Sequence, residues 1–247
     1  MPATAELPHF TTLLFGLSGD LVDFGARTLP VALQRTCPDC PPERLSNALT
    51  LPPQEALELA LGRCADSQER RHFQSALDAA AQAHAEATPG ALDALQALHQ
   101  RGVPCAWLDE LPSATALHLA AVVDEHLATG LGIAGRQWPA PDSCWQALMQ
   151  LGTPALDGCV LVSGQPRLLQ AGLNAGLWTI GLAASSPLCG HAPGDWDALG
   201  SLDRDRLRAQ ATLGLYRLGV HSVIDHLGEL DSCLQDIAGR RLKGEKP

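Results

Sequence analysis

Residues 11–25 read Thr11-Thr12-Leu13-Leu14-Phe15-Gly16-Leu17-Ser18-Gly19-Asp20-Leu21-Val22-Asp23-Phe24-Gly25. The uncharged run up to Phe15 is too short for a helix and apolar at consecutive positions, so it predicts a strand buried on both faces that feeds a Gly-containing loop at Gly16–Asp20. The pattern returns at Val103–Leu108, Cys159–Val162, Leu177–Leu182 and Ser222–Ile224, each placed just after a glycine turn. Between these runs, helical periodicity covers Ala91–Gln100, Ser113–Ala128, Ser143–Leu151, Arg167–Ala175, Arg204–Leu218 and Leu230–Leu242. Strand and helix in alternation predict an α/β fold, a parallel sheet covered by helices on both faces.

Residues 26–88 interrupt that alternation. After the Pro-rich stretch Cys37–Pro42 they carry only helical pattern, at Gln54–Leu61 and Ser67–Ala87. The expected organisation is a core from residues 1–25 and 89–247 carrying an inserted helical cap domain at 26–88. Ala76–Ala87 is nearly all alanine with polar spacers, which gives high helix propensity and a small apolar payload. Such a helix suits a tight helix–helix contact, including one between subunits.

Composition narrows the function classes. Against 27 Asp+Glu the 247 residues carry only 17 Lys+Arg, a net charge of −10, which argues against nucleic-acid binding. No apolar run approaches the roughly 20 residues that span a bilayer. Met1–Pro8 lacks the basic start of a secretory leader, so a cytoplasmic protein is expected. The 8 cysteines are scattered, several inside apolar runs, as reduced core thiols are. Lys243 and Lys246 are the only lysines, so chemistry that needs a buried amine is nearly excluded.

Specific stretches add a family resemblance. Leu13–Gly25, with Val22-Asp23-Phe24-Gly25, resembles the opening of the phosphonatase (phosphonoacetaldehyde hydrolase) branch of the haloacid dehalogenase superfamily. Gly172–Leu182, with Leu215-Tyr216, Gly219, His221 and Val223-Ile224-Asp225, is similar to that branch's later core, as is Gly194-Asp195-Trp196. Gly135-Arg136 followed by Pro139-Ala140-Pro141 resembles its third motif with Gln137-Trp138 inserted. The resemblance implies a Rossmann-like core, a cap inserted after the first strand and dimerisation through cap helices.

The same resemblance places the chemistry, and at most positions the residue is wrong for it. A strand-ending aspartate should attack phosphorus and ligate Mg²⁺; that position is Gly16, with Ser18 two residues on. Asp20 and Asp23 are the nearest carboxylates and are expected to lie several ångströms beyond the strand end. The second motif should offer a hydroxyl; the chain offers Asp109-Glu110, which would repel a dianion and reads otherwise as a solvated loop. Arg136 is positioned to supply the third motif's cation. The acids expected after the third strand are replaced by Ser163-Gly164, and the imine-forming cap lysine is missing from Asn47–Pro53.

The expectation is therefore a phosphonatase-like pseudoenzyme, with no cofactor, that binds a small-molecule ligand or a protein partner as a homodimer or heterodimer through cap helices, with no nucleic acid and no membrane. Its candidate ligand-binding residues are Ser18, Asp20, Asp109, Arg136 and Ser163, and no metal ligands are assigned. The alternative is a hydrolase with a relocated site built on Asp20, Asp109 and Arg136, which would need Mg²⁺. Three further features stand apart. Cys37-Pro38-Asp39-Cys40 is a CxxC that serves elsewhere as a zinc half-site or redox pair and otherwise is a Pro-rich loop. His221 and His226 read as structural. Trp107 and Trp138 fall near the former catalytic loops, where they would narrow the pocket, although core packing is the commoner use.

Overall fold

The computed structural model describes residues 8–123, 127 and 136–247. The reading of Met1–Pro8 falls almost wholly outside them, and Gly135 lies outside them too. Among the described residues five parallel strands form one sheet: β1 (Thr12–Gly16), β2 (Cys105–Leu108), β3 (Cys159–Ser163), β4 (Trp178–Leu182) and β5 (Ser222–Ile224), in the order β2-β1-β3-β4-β5. Leu14 stands beside Ala106 on one side and Leu161 on the other.

Alternation along each strand divides the core. Leu13, Phe15, Cys105, Trp107, Val160, Val162, Trp178 and Ile180 face one layer, with Leu95, Leu119, Leu234 and Ile237. Leu14, Ala106, Leu108, Cys159 and Leu161 face the other, with Ala147, Leu168 and Ala171. Both faces of β1 and β3 are buried, which is why these strands read as unbroken apolar runs. The covering helices are α5 (Ala91–Gln100), α6 (Ser113–Ala120), α7 (Asp142–Gln150), α8 (Pro166–Ala175), α9 (Pro193–Ala198), α10 (Ser201–Arg217) and α11 (Leu230–Leu242). Helix α6 stops earlier than its periodicity predicts; positions 124–126 and 128 of the expected helix lie outside the described residues.

The stretch Gly172–Gly176 now has a structural reason. A Cβ on Gly172 would overlap Leu161 and come within 3.2 Å of Thr179, so glycine lets α8 lie directly on β3 and β4. Gly176, at φ +77°, ends α8 in the left-handed conformation.

Four helices lie between β1 and α5: α1 (Thr28–Thr36), α2 (Pro42–Ala48), α3 (Pro53–Leu61) and α4 (Ser67–His84). They pack around their own apolar cluster, including Leu33, Cys37, Leu57, Phe73 and Leu77. Helix α4 starts with a capping box, Asp66 receiving the Gln68 and Glu69 amides while Glu69 accepts from the Asp66 N–H. Its alanines Ala76, Ala80 and Ala81 are buried within this chain, where α4 packs on α1 and α6. The connections into and out of the four helices run antiparallel and pair at Val22 and Ala87, with the Asp23 N–H donating to Glu86 O at 3.0 Å and the Thr88 N–H to Leu21 O at 2.9 Å. Among the described residues no helix is long and apolar enough to cross a membrane.

Candidate functional site

The carboxyl ends of β1, β2 and β3 meet at Gly16, Leu108 and Ser163, the edge at which parallel sheets place their ligands. From Gly16 the chain turns sharply. The amides of Asp20, Leu21 and Val22 all donate to Leu17 O, the Gly19 N–H donates to Val22 O at 2.8 Å, and Gly19 sits at φ +83°, which a side chain disfavours. This turn sends Asp20 back toward the strand instead of away from it.

Asp20 therefore lies elsewhere than its sequence position suggests. A Cβ on Gly16 would fall inside the Asp20 carboxylate, overlapping Oδ2, with Cγ 2.9 Å and Ser163 Oγ 2.8 Å away. The expectation that Asp20 stays several ångströms beyond the strand end is corrected: the carboxylate that position 16 lacks is delivered from position 20. Ser163 Oγ donates to Oδ2 at 2.5 Å and the Gly164 N–H to Oδ1 at 2.6 Å. The side chain has no exposed surface. Burial lifts its pKa to about 7 against the two hydrogen bonds that lower it, and Asp109 lifts it further.

Ser18 joins the other two carboxylates. Its N–H donates to Asp109 Oδ2 and its Oγ to Asp23 Oδ2, each at 2.9 Å. Asp23 is fully buried, at φ +59°, and also accepts the Arg27 and Thr28 amides at 3.0 Å, so it anchors the start of α1. Asp109 receives the Leu111 N–H at 2.9 Å, and burial raises its pKa to about 6. The solvated-loop reading of Asp109-Glu110 is thus corrected too. Glu110 is largely buried, its pKa raised by burial against the pull of Arg167, and it accepts the Trp138 N–H at 3.0 Å.

Arg136 does not serve the site. It is exposed and pairs with Asp142 at 3.2 Å. The guanidinium that reaches the second-motif loop is Arg167, in the first turn of α8, bonded to Glu110 and to Trp138 O. The inserted Gln137-Trp138 concealed this from sequence reading; the available signal was an arginine four residues beyond Ser163 at a helix start. Trp107 packs in the sheet core, whereas Trp138 packs beside α7 with its ring N–H on Ser143 Oγ at 2.9 Å. His221 is structural: its Nδ1 accepts the Thr179 N–H at 3.0 Å and its ring packs on Trp178.

The donor set does not fit Mg²⁺, which needs several hard oxygens around one point. Gly16 and Gly164 bring no side chain, Ser163 is neutral and spent on Asp20, and Asp20 and Asp109 are committed to internal donors. Among the described residues no three His, Cys, Asp or Glu side chains converge as metal ligands.

No family profile matches the chain. It is 32% identical over 168 residues to the phosphonoacetaldehyde hydrolase of Salmonella agona (strain SL483), which covers 64% of this chain and 61% of that protein. The chain thus spans about three fifths of the curated relatives it matches. One solved structure is 49% identical, covers 96% of this chain and 100% of its own, and superposes with a TM-score of 0.73. Another, a phosphonoacetaldehyde hydrolase like protein from Oleispira antarctica, shares the fold at a TM-score of 0.78 and 21% identity, over 98% of this chain and 97% of that one. With the parallel sheet, the helices inserted after its first strand and the motif positions at its carboxyl edge, these likenesses show that the chain belongs to the haloacid dehalogenase superfamily.

Proposed function

We propose that this chain is a phosphonatase-like pseudoenzyme that keeps the scaffold and has given up phosphoryl transfer for a binding role. One observation carries the reading: the space over Gly16, where an attacking carboxylate would project toward substrate, is filled by the fully buried Asp20 carboxylate tied to Ser163 and Gly164. A nucleophile with no exposed surface cannot approach phosphorus in line. The residues that would complete a divalent-metal site do not fit, and the insertion offers no lysine for an imine. Residues 26–88 act as a cap domain on the core of 1–25 and 89–247. The protein works in the cytoplasm as a homodimer, or as a heterodimer with an active relative, through cap helices.

The test is orthophosphate release from phosphonoacetaldehyde with and without Mg²⁺. The expected result is release at the uncatalysed rate in both; turnover at enzyme-like speed would sink the proposal. A second reading has one observation in its favour, since Asp20 brings a carboxylate to the ancestral nucleophile's position. In that reading the chain is a hydrolase with a relocated nucleophile, and its turnover disappears in Asp20→Asn.

A further inference from the structure

We infer that Cys37 and Cys40 form an oxidation site, closing into an intramolecular disulfide by exchange with a low-molecular-weight disulfide. The inference is independent of the proposed function and rests on the turn that joins α1 to α2. The Cys40 N–H donates to Cys37 O at 3.1 Å, an i to i+3 turn through Pro38 and Asp39. A hydrogen-bonded turn of this kind holds its end Cα atoms within about 7 Å, against the roughly 4.4–6.8 Å a disulfide spans. Pro38 fixes φ at the first central position, so the turn is set before any bond forms. Both side chains face the same apolar cluster of α1–α4, Cys37 inside it and Cys40 partly covered at its border. The two thiols thus project to one side of one turn.

Of the other six cysteines, Cys64 is exposed but lies outside this turn, and five are closed off. Cys105, Cys144, Cys159, Cys189 and Cys233 are buried in the clusters around the sheet. Burial pushes Cys105 and Cys144 up to about 12 and Cys159 and Cys189 up to about 11, so they hold almost no thiolate near neutrality; burial raises the Cys37 thiol as well, which makes it the slower partner and leaves its geometry, beside Cys40 on one turn, as what distinguishes it. Cys40 is reachable from solvent, whereas Cys37 is not. That asymmetry sets the order of events. The Cys40 thiolate attacks one sulfur of glutathione disulfide, forming a mixed disulfide and expelling one glutathione thiolate, which takes up the proton Cys40 lost. The Cys37 thiolate then attacks the Cys40 sulfur, forms the internal bond and expels the second glutathione, protonated by the proton from Cys37. Two protein thiols are oxidised and one glutathione disulfide is reduced to two thiols.

The test incubates the full chain at rising ratios of oxidised to reduced glutathione, quenches with acid, alkylates in denaturant and digests with trypsin. Cleavage after Arg35, Arg44, Arg63 and Arg70 separates residues 36–44, which contain Cys37 and Cys40 alone, from residues 64–70, which contain Cys64. Segment 36–44 is expected to lose two hydrogens and its capacity for alkylation as the ratio rises, and to recover both with dithiothreitol. In Cys37→Ser the reaction should stop at glutathione held on Cys40, a readout that needs only that the variant folds, as circular dichroism reports. Two alkyl groups on segment 36–44 at every ratio, a cross-link of either cysteine to Cys64, or glutathione persisting on Cys40 in the unaltered protein would each overturn the inference.

Discussion

Position 16 and position 20 share one volume, and the energetics of the site follow from that overlap. Gly16→Ala places a methyl group on the Asp20 carboxylate and must displace it from Ser163 and Gly164, at an expected cost of about 1–3 kcal/mol in urea unfolding. Asp20→Ala should cost less in the Gly16→Ala background than in the unaltered protein, because the two substitutions contest the same space; strict additivity would show that the overlap has no energetic meaning. The raised pKa of Asp20 adds a pH signature. A carboxyl that titrates near 3.8 unfolded and about 7 folded binds more protons in the native state between those values. Its contribution to stability is therefore full below about pH 4 and declines as pH rises toward 7. Asp109, raised to about 6, adds to the decline in the unaltered protein. In Asp20→Asn that site no longer titrates, so the stability difference, variant minus unaltered protein, should grow from pH 4 to 7 and level off above; a constant difference would refute the assignment. Sequence reading singled out Gly16, Ser18, Asp20, Asp109 and Ser163, missed Arg167, placed Arg136 where it does not reach, and misjudged the reach of Asp20. It measured distance along the strand direction, whereas Gly19 at φ +83° reverses the chain within four residues.

Elements were legible where their apolar pattern was dense. The expected strands match the observed ones to within two residues at either end, because burial on both faces leaves a continuous apolar run in the sequence. Helices α1 and α2 went unread because Pro30, Pro41 and Pro42 look like breakers. Pro30 and Pro42 sit in first helical turns, where no intrahelical donor is lost, and Pro41 precedes α2 as its cap. What starts α1 is the Asp23 carboxylate, five residues before the first helical position, a spacing no standard capping pattern describes. Asp23→Ala should free the Arg27 and Thr28 amides and the Ser18 hydroxyl, costing about 2–3 kcal/mol. Asp23→Asn should lose less than Asp23→Ala but still more than a neutral change, since its one amide oxygen can take the Thr28 amide and the Ser18 hydroxyl while its NH2 faces the Arg27 N–H, and asparagine tolerates φ +59°. Equal losses in the two variants by chemical denaturation would show that one accepting oxygen does nothing for the helix and would refute the graded expectation.

At the level of the whole molecule, the sheet and the four inserted helices draw on two apolar clusters of unequal depth that touch through Ala81 and Leu111. Strands β1, β3 and β4 are sealed on both faces, whereas the insertion closes over small side chains, several of them alanine. Hydrogen exchange should follow that difference: amides of β1 and β3 should exchange only with global opening, and those of α1–α3 well before them, which mass spectrometry of peptic fragments can resolve. Identical protection throughout would mean that the two clusters unfold as one. Gross architecture was readable because it depends on pattern, and the state of the site was not, because it depends on one turn. The Gly16–Asp20 arrangement also bears on descent. An aspartate placed at position 16 would meet the resident carboxylate and find neither room nor a compatible charge, so a single codon change there does not install the nucleophile that the family resemblance implies. On the proposed function, recovery of phosphoryl transfer takes concerted changes at positions 16 and 20, because each side chain occupies the room the other needs.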